Sequence, residues 1–226
     1  MRRTLKDYPH VSLKIQDLNG RIDFISLFGR SAPLHIEIGV GRATFLLNQA
    51  KANPQTNFLG IEWANKYYRH SVDRIGRWGL TNVRIIRTDA AAFVADLLPD
   101  ECADCFHIYF PDPWPKKRHH KRRFFNTTNT DQLLRCLRPA GSIRITTDHA
   151  EYFDQIKNVI ADKADRLEKI DFLPTAPAST YPPPRFASGD AGAGADKCGG
   201  EWVGSNFERK YLKEKRPILY LAVRKK

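Results

Sequence analysis

Apolar and polar residues follow two rhythms along this chain, and the rhythms take turns. LHIEI (34–38) is a short, mostly apolar run with the length of a buried strand. RATFLLNQAKAN (42–53) then sets Ala43, Leu46, Leu47 and Ala50 at helical spacing. FLGIE (58–62) predicts a second strand, and the window after it brings Tyr68, Val72 and Ile75 to one side of a helix. VRIIR (83–87), CFHIYF (105–110) and SIRIT (142–146) predict three further strands. The window from Thr130 to Arg138 groups Leu133, Leu134 and Leu137, and Pro139 and Gly141 terminate it. HAEYFDQIKNVI aligns Phe153, Ile156, Val159 and Ile160 in one stripe, and ILYLAV (218–223) predicts a last strand.

Alternating strands and helices predict an α/β domain, a mostly parallel sheet with helices on both faces. The expected division is an N-terminal extension over 1–33 and one domain over 34–226. Within that domain a Pro/Gly-rich loop is expected at 174–204, with five prolines between Pro174 and Pro184 and six glycines between Gly189 and Gly204. A loop of that length in a compact domain is usually mobile or functional. No internal repeat is evident.

In open parallel sheets ligands bind beyond the carboxyl ends of the strands. Each such end here carries an acid: Glu37, Glu62, Asp89, Asp112 and Asp148. The first strand runs into Glu37-Ile38-Gly39-Val40-Gly41, a glycine turn that lets a ligand approach the backbone. A dinucleotide fingerprint would need a third glycine where Thr44 stands, and Glu37 would repel a pyrophosphate. A cationic ligand is tolerated instead. S-adenosyl-L-methionine is cationic and offers hydroxyl and amino donors, for which Glu62 and Asp89 are candidate acceptors. Capping of the next helix is the other role open to both acids.

Composition adds class and charge. With 42% hydrophobic and 27% charged residues in 226, the chain reads as an ordinary globular protein rather than a membrane-spanning one. Its opening residues have no apolar core, so no secretory signal is expected. Four cysteines, Cys102, Cys105, Cys136 and Cys198, fit a reduced cytoplasmic setting. Cys102 and Cys105 form a C-x-x-C without a second pair, so no metal site is expected. Net charge is +12, and Lys116 through Arg123 supply six of the positive charges. A cationic patch that dense attracts polyanions, nucleic acid first.

That patch follows FPDPW, an acid boxed between prolines that restrict its loop. Trp114 can stack on a base or brace the loop. FPDPWPKKRHHKRR, together with EIGVG, GIE and the TDH-x-EY at Thr147 to Tyr152, resembles the bacterial tRNA (guanine-N7)-methyltransferase family. The resemblance runs from about residue 34 to Arg224. It implies a Rossmann-like methyltransferase fold of about seven strands with the last antiparallel. It also implies S-adenosyl-L-methionine as methyl donor and tRNA as partner, with the variable-loop guanine at position 46 as target. By the same resemblance Glu37, Gly39, Gly41, Glu62, Asp89 and Asp112 line the cofactor site, and Asp112 is catalytic. Lys116, Asp148 and the segment Ser205, Asn206, Phe207, Glu208 contact substrate, and Arg118, His119, His120, Lys121, Arg122 and Arg123 contact RNA. Two positions depart from the family's pattern: Ala43 replaces a third glycine, and Asn206 replaces a lysine. No obligatory protein partner is expected, only a monomer or homodimer.

The chemistry is consistent with that assignment. Guanine N7 carries an in-plane lone pair, so attack needs alignment more than a strong base. Methylation leaves a cation that a carboxylate such as Asp112 stabilises. Two alternatives stay open on the residues alone: a non-catalytic nucleic-acid-binding protein on a Rossmann scaffold, and an exocyclic-amine nucleic-acid methyltransferase.

Overall fold

The computed structural model describes residues 4–172 and 205–226; the stretch expected as a loop at 174–204 lies outside them. Eight strands form one sheet in the order β1-β4-β3-β2-β5-β6-β8-β7. They are β1 (Ser12–Leu13), β2 (Leu34–Ile38), β3 (Asn57–Glu62), β4 (Val83–Arg87), β5 (Ala103–Tyr109), β6 (Leu137–Thr147), β7 (Leu167–Ile170) and β8 (Leu219–Lys225). β1 to β6 pair in parallel, and β8 runs antiparallel between β6 and β7. The count exceeds the expected seven because β1, two residues long, joins the edge beside β4.

The helices are α1 (Phe24–Phe28), α2 (Thr44–Ala52), α3 (Asn65–Arg77), α4 (Ala90–Asp96), α5 (Thr127–Cys136), α6 (Ala150–Ala161) and α7 (Asn206–Lys213). One sheet face buries Ile36, Ile38, Phe106, Ile108, Ile143 and Ile145 in a core shared with Phe93, Leu133 and Ile156 from α4, α5 and α6. Each such fully buried side chain contributes roughly 1.5–3 kcal/mol. The other face packs Phe58, Val83 and Ile85 against Leu46 and Leu47 of α2 and Val72 and Ile75 of α3. The N-terminal arm docks through Tyr8, whose ring covers Gly76; a Cβ there would lie 2.0 Å from the ring. No helix among the described residues is long and apolar enough to cross a membrane.

Chain order positions the site. From β2 the chain steps outward to β3 and β4, then returns to the far side of β2 with β5. Connections therefore diverge between β2 and β5, and the carboxyl ends of those two strands are the switch point at which ligands of such sheets bind.

Candidate active site

The strand order lays the five acids along one rim. Asp89 follows β4, Glu62 ends β3, Glu37 lies near the end of β2, Asp112 follows β5 and Asp148 follows β6, and these strands are successive neighbours. Glu37 is only 3% exposed, and its Oε2 has no hydrogen-bond partner. Burial, and then the neighbouring Glu62, push its carboxyl well above the ordinary range. Burial also raises Glu62, the backbone amides of Ala64, Gly41 and Trp63 pull it back, and Asp112 pushes it up again. Glu37 therefore feels the charge of Glu62, and Glu62 that of Asp112, along this rim.

The backbone around these acids is shaped for close approach. Gly39 and Gly41 both have positive φ, 84° and 55°. Gly39 N–H donates to Ile61 O at 2.9 Å, tying the turn to β3. Glu62 holds the turn from the other side: one carboxylate oxygen accepts from Gly41 N and the other from Ala64 N, both at 2.8 Å. From α3, Ser71 Oγ donates to Gly41 O at 2.8 Å. Ala43, where the family has glycine, stands at φ 54° as the residue before α2 and is fully buried. An alanine held there costs about 1–2 kcal/mol that a glycine would not. Asp89 is exposed and caps α4, accepting from Ala92 N at 3.0 Å. The capping role weighed from sequence is the one its carboxylate fills here.

Past β5 the chain makes a constrained loop. Phe110 and Trp114 bracket Pro111-Asp112-Pro113 and both take positive φ, 52° and 43°. Non-glycine residues in that region cost roughly 1–3 kcal/mol each and persist only where surroundings enforce them. Phe110 N–H donates to Thr146 O at 2.8 Å, fixing the start of the loop on β6. Arg123 fixes its end, with Nε donating to Pro113 O at 2.8 Å and Nη1 to Gln155 Oε1 at 2.7 Å. Its guanidinium also lies over the Tyr152 ring at 4.9 Å and meets Glu151 on α6 at 3.3 Å. Asp112 is left exposed at the crest.

Arg123 thus corrects the sequence reading. Expected among the RNA-contacting cations, it is 2% exposed and its donors are taken by the protein. Lys116, Lys117, Arg118, Lys121 and Arg122 are exposed, the last four on a 3-10 turn over Lys117–Arg122. His119 and His120 are half-buried. Trp114 lies between this turn's side chains, with Arg122 5.0 Å from its ring centre and His119 edge-on at 5.8 Å, so it braces the loop.

The C-terminal segment closes the far end of the rim. Phe207 and Tyr211 of α7 contact the Phe110 ring at 5.9 and 5.3 Å. Ser205 caps α7, accepting from Glu208 N at 3.2 Å, and Asn206 is the helix's first residue. Glu208 is buried, accepts from Tyr220 Oη at 2.8 Å, and is pushed by burial up to about 7. Asp148 faces Arg216 at 3.3 Å. The substrate-motif residues therefore gather beside the Asp112 loop. Sequence reasoning missed Trp63, which follows Glu62 and stands 70% exposed on the rim. A large aromatic directly after a strand-end acid was the available signal.

Comparison with known proteins agrees with this fold. Residues 31–183 match the model of a family described as "Putative methyltransferase". The tRNA (guanine-N(7)-)-methyltransferase of Nitrosococcus oceani is 41% identical over 145 residues, covering 64% of this chain and 61% of that protein. The protein of the same name from Halorhodospira halophila is 36% identical over 165 residues, covering 73% and 69%. The chain thus matches about three fifths of the length of the Nitrosococcus relative. Among solved structures, a 30S ribosomal A1408 methyltransferase from an uncultured bacterium shares the fold with a TM-score of 0.55 and 15% identity, covering 91% of this chain and 95% of that one.

Proposed function

Because this chain belongs to the tRNA (guanine-N(7)-)-methyltransferase family, we propose that it transfers a methyl group from S-adenosyl-L-methionine to N7 of a guanine in tRNA, the variable-loop guanine at position 46. The observation that carries the reading is the row of carboxylates on one rim, with a buried, unpartnered Glu37 oxygen at its centre. Such a row repels a pyrophosphate and suits a ligand that is itself positive and rich in hydrogen-bond donors.

Glu37, Gly39, Gly41, Glu62 and Asp89 are the residues that would hold the donor, and the exposed Trp63 ring offers a face to its adenine. Bound there, S-adenosyl-L-methionine supplies a methyl group on a positively charged sulfur, open to attack by a lone pair. Guanine N7 is already nucleophilic, and a carboxylate at the crest of a rigid loop stabilises the cation that forms on the base. Asp112 also suits a grip on the base through its N1–H and amino donors. Lys116, Arg118, Lys121 and Arg122 face solvent beside that loop, where tRNA phosphates can reach them. Asp148 and the Ser205–Glu208 segment border the same loop from α7 and β6. For Asp148 to take up substrate it must exchange the Arg216 contact for a new partner.

The test is methyl incorporation into tRNA from a strain lacking N7-methylguanine, with the modified position mapped by reduction and aniline cleavage. Incorporation at one variable-loop guanine is expected. Asp112→Asn should abolish turnover while tRNA affinity stays within a few-fold of wild type. Incorporation at an exocyclic amine, or none with a folded protein that binds donor and tRNA, overturns the proposal.

A further inference from the structure

The C-x-x-C that the reaction leaves unused is split by the fold. Cys102 lies beside Cys136, whose thiol donates to Val94 O at 3.7 Å. Cys105 goes elsewhere. Side chains alternate along a strand, so Cys105, His107 and Tyr109 of β5 share one face. In the parallel register of β2 with β5, His35 is the Cα partner of Cys105. Sequence periodicity and strand register together therefore bring two imidazoles and a thiol to one spot beneath Phe45, whose ring lies 4.7 Å from that of His107.

We propose that His35, Cys105 and His107 form a site for a divalent metal ion of zinc type, which ties β2 to β5 below the row of acids. One ligand atom from each of the three lies within 4.8 Å of the others. His107 Nε2 and His35 Nδ1 are 3.1 Å apart, close to the ~3.3 Å that two imidazoles span on one tetrahedral zinc. The thiol, within 4.8 Å of the ligating nitrogens, must draw in by about an ångström to reach a tetrahedral position. A mixed nitrogen and sulfur set favours zinc over magnesium or calcium.

The surroundings supply the outer shell and one opposing charge. Tyr109 Oη meets His107 Nδ1 at 2.8 Å, which orients the ring, and Ser142 Oγ donates to Cys105 Sγ at 3.3 Å. Water or the Ser142 hydroxyl is left for the fourth position. Arg144 on β6 faces the cluster, and Asp104 acts on His35 in the opposite sense. On binding, the thiol gives its proton to solvent, and the resulting thiolate offsets one charge of the ion. The Tyr109–His107–His35 hydrogen bonds hold the ligands close together in the metal-free protein. This inference is independent of the reaction proposed above.

The experiment is titration of chelator-treated, full-length protein with cobalt(II), then displacement by zinc(II). One equivalent of cobalt should give tetrahedral d–d bands and a near-ultraviolet thiolate charge-transfer band, and zinc should erase both. Cys105→Ser should remove the charge-transfer band, His107→Gln should abolish stoichiometric binding, and Cys136→Ser should leave both spectra intact. Arg144→Gln should tighten binding several-fold. It gives an independent reading should a ligand variant fail to fold. No cobalt bands from wild-type protein, or a charge-transfer band that survives Cys105→Ser, overturns the site.

Discussion

Replacing Arg123 by methionine separates a structural arginine from an RNA-binding one. Methionine keeps much of the side-chain volume and removes the charge and its donors. Two charge-assisted bonds to neutral acceptors disappear, those to Pro113 O and Gln155 Oε1, each typically about 1.5–3 kcal/mol. The bond to Glu151 is discounted, because that carboxylate is exposed and solvent screens it. Contact with Tyr152 adds roughly 0.5–2 kcal/mol. Against these stands the desolvation of a buried guanidinium, which methionine avoids. The net expectation is a loss of about 2–4 kcal/mol, read by urea denaturation followed through tryptophan fluorescence and circular dichroism. The slope of tRNA affinity against salt should stay as in wild type. Arg122→Ala should do the reverse, leaving stability nearly unchanged and lowering that slope by ~0.7–0.9, the share of one phosphate contact. A stable Arg123→Met protein with a reduced salt slope would refute the bracing role and return Arg123 to the RNA surface.

Three further outcomes follow from individual contacts. Glu37→Gln removes a carboxyl whose charge is disfavoured by burial and by Glu62, so the ligand-free protein should gain about 1–3 kcal/mol; the same change should weaken S-adenosyl-L-methionine binding at least tenfold by calorimetry, and unchanged affinity would exclude Glu37 from the donor site. Glu208, raised by burial to about 7, holds its proton more tightly folded than unfolded. Its contribution is therefore complete below about 4.5 and is lost as pH rises through about 7, an effect on the order of 3 kcal/mol. Glu208→Gln should flatten the stability profile across that window, and a profile identical to wild type would contradict the burial effect. Gly76→Ala drives a methyl into the Tyr8 ring, which should cost about 1–3 kcal/mol and expose residues 4–11 to limited proteolysis; an unchanged cleavage pattern would show that Tyr8 does not anchor the arm.

The parts of the fold that could be read from sequence are those whose pattern is complete within one segment. LHIEI and VRIIR are apolar enough to be bounded to the residue as β2 and β4. β1 and β7 were missed for opposite reasons. Ser12–Leu13 is too short to show a period, and LEKI is polar at half its positions because it lies at the sheet edge, paired only with β8. The helix expected at 130–138 starts earlier, at Thr127, because Asn126 caps it, accepting from Asn129 N. The strand after it begins at Leu137 and runs through Pro139 to Thr147, beside a register shift opposite Ala103 and Cys105.

At the site, the acids were legible because strand ends are legible. Which member of a charged run turns inward was not. Nothing in KRRF distinguishes Arg122 from Arg123; the difference arises only when α6 presents Tyr152 and Gln155 to one of them. Likewise Glu62 was read as a ligand acceptor, whereas its oxygens already hold the amides of Gly41 and Ala64. The carboxylate therefore shapes the turn as well as charging it.

The placement of β8 between β6 and β7 has a consequence for how the chain comes to be folded in the cell. β7 precedes β8 in synthesis, yet among the strands pairs only with it. Until residues 219–225 leave the ribosome, β6 shows an open row of amides and carbonyls, and β7 has nowhere to dock. A nascent chain halted in that interval carries an unsealed flank, to which another unfinished copy can add. Arrival of β8 closes that flank and recruits β7 together, so the final strand acts as the clasp of the whole sheet.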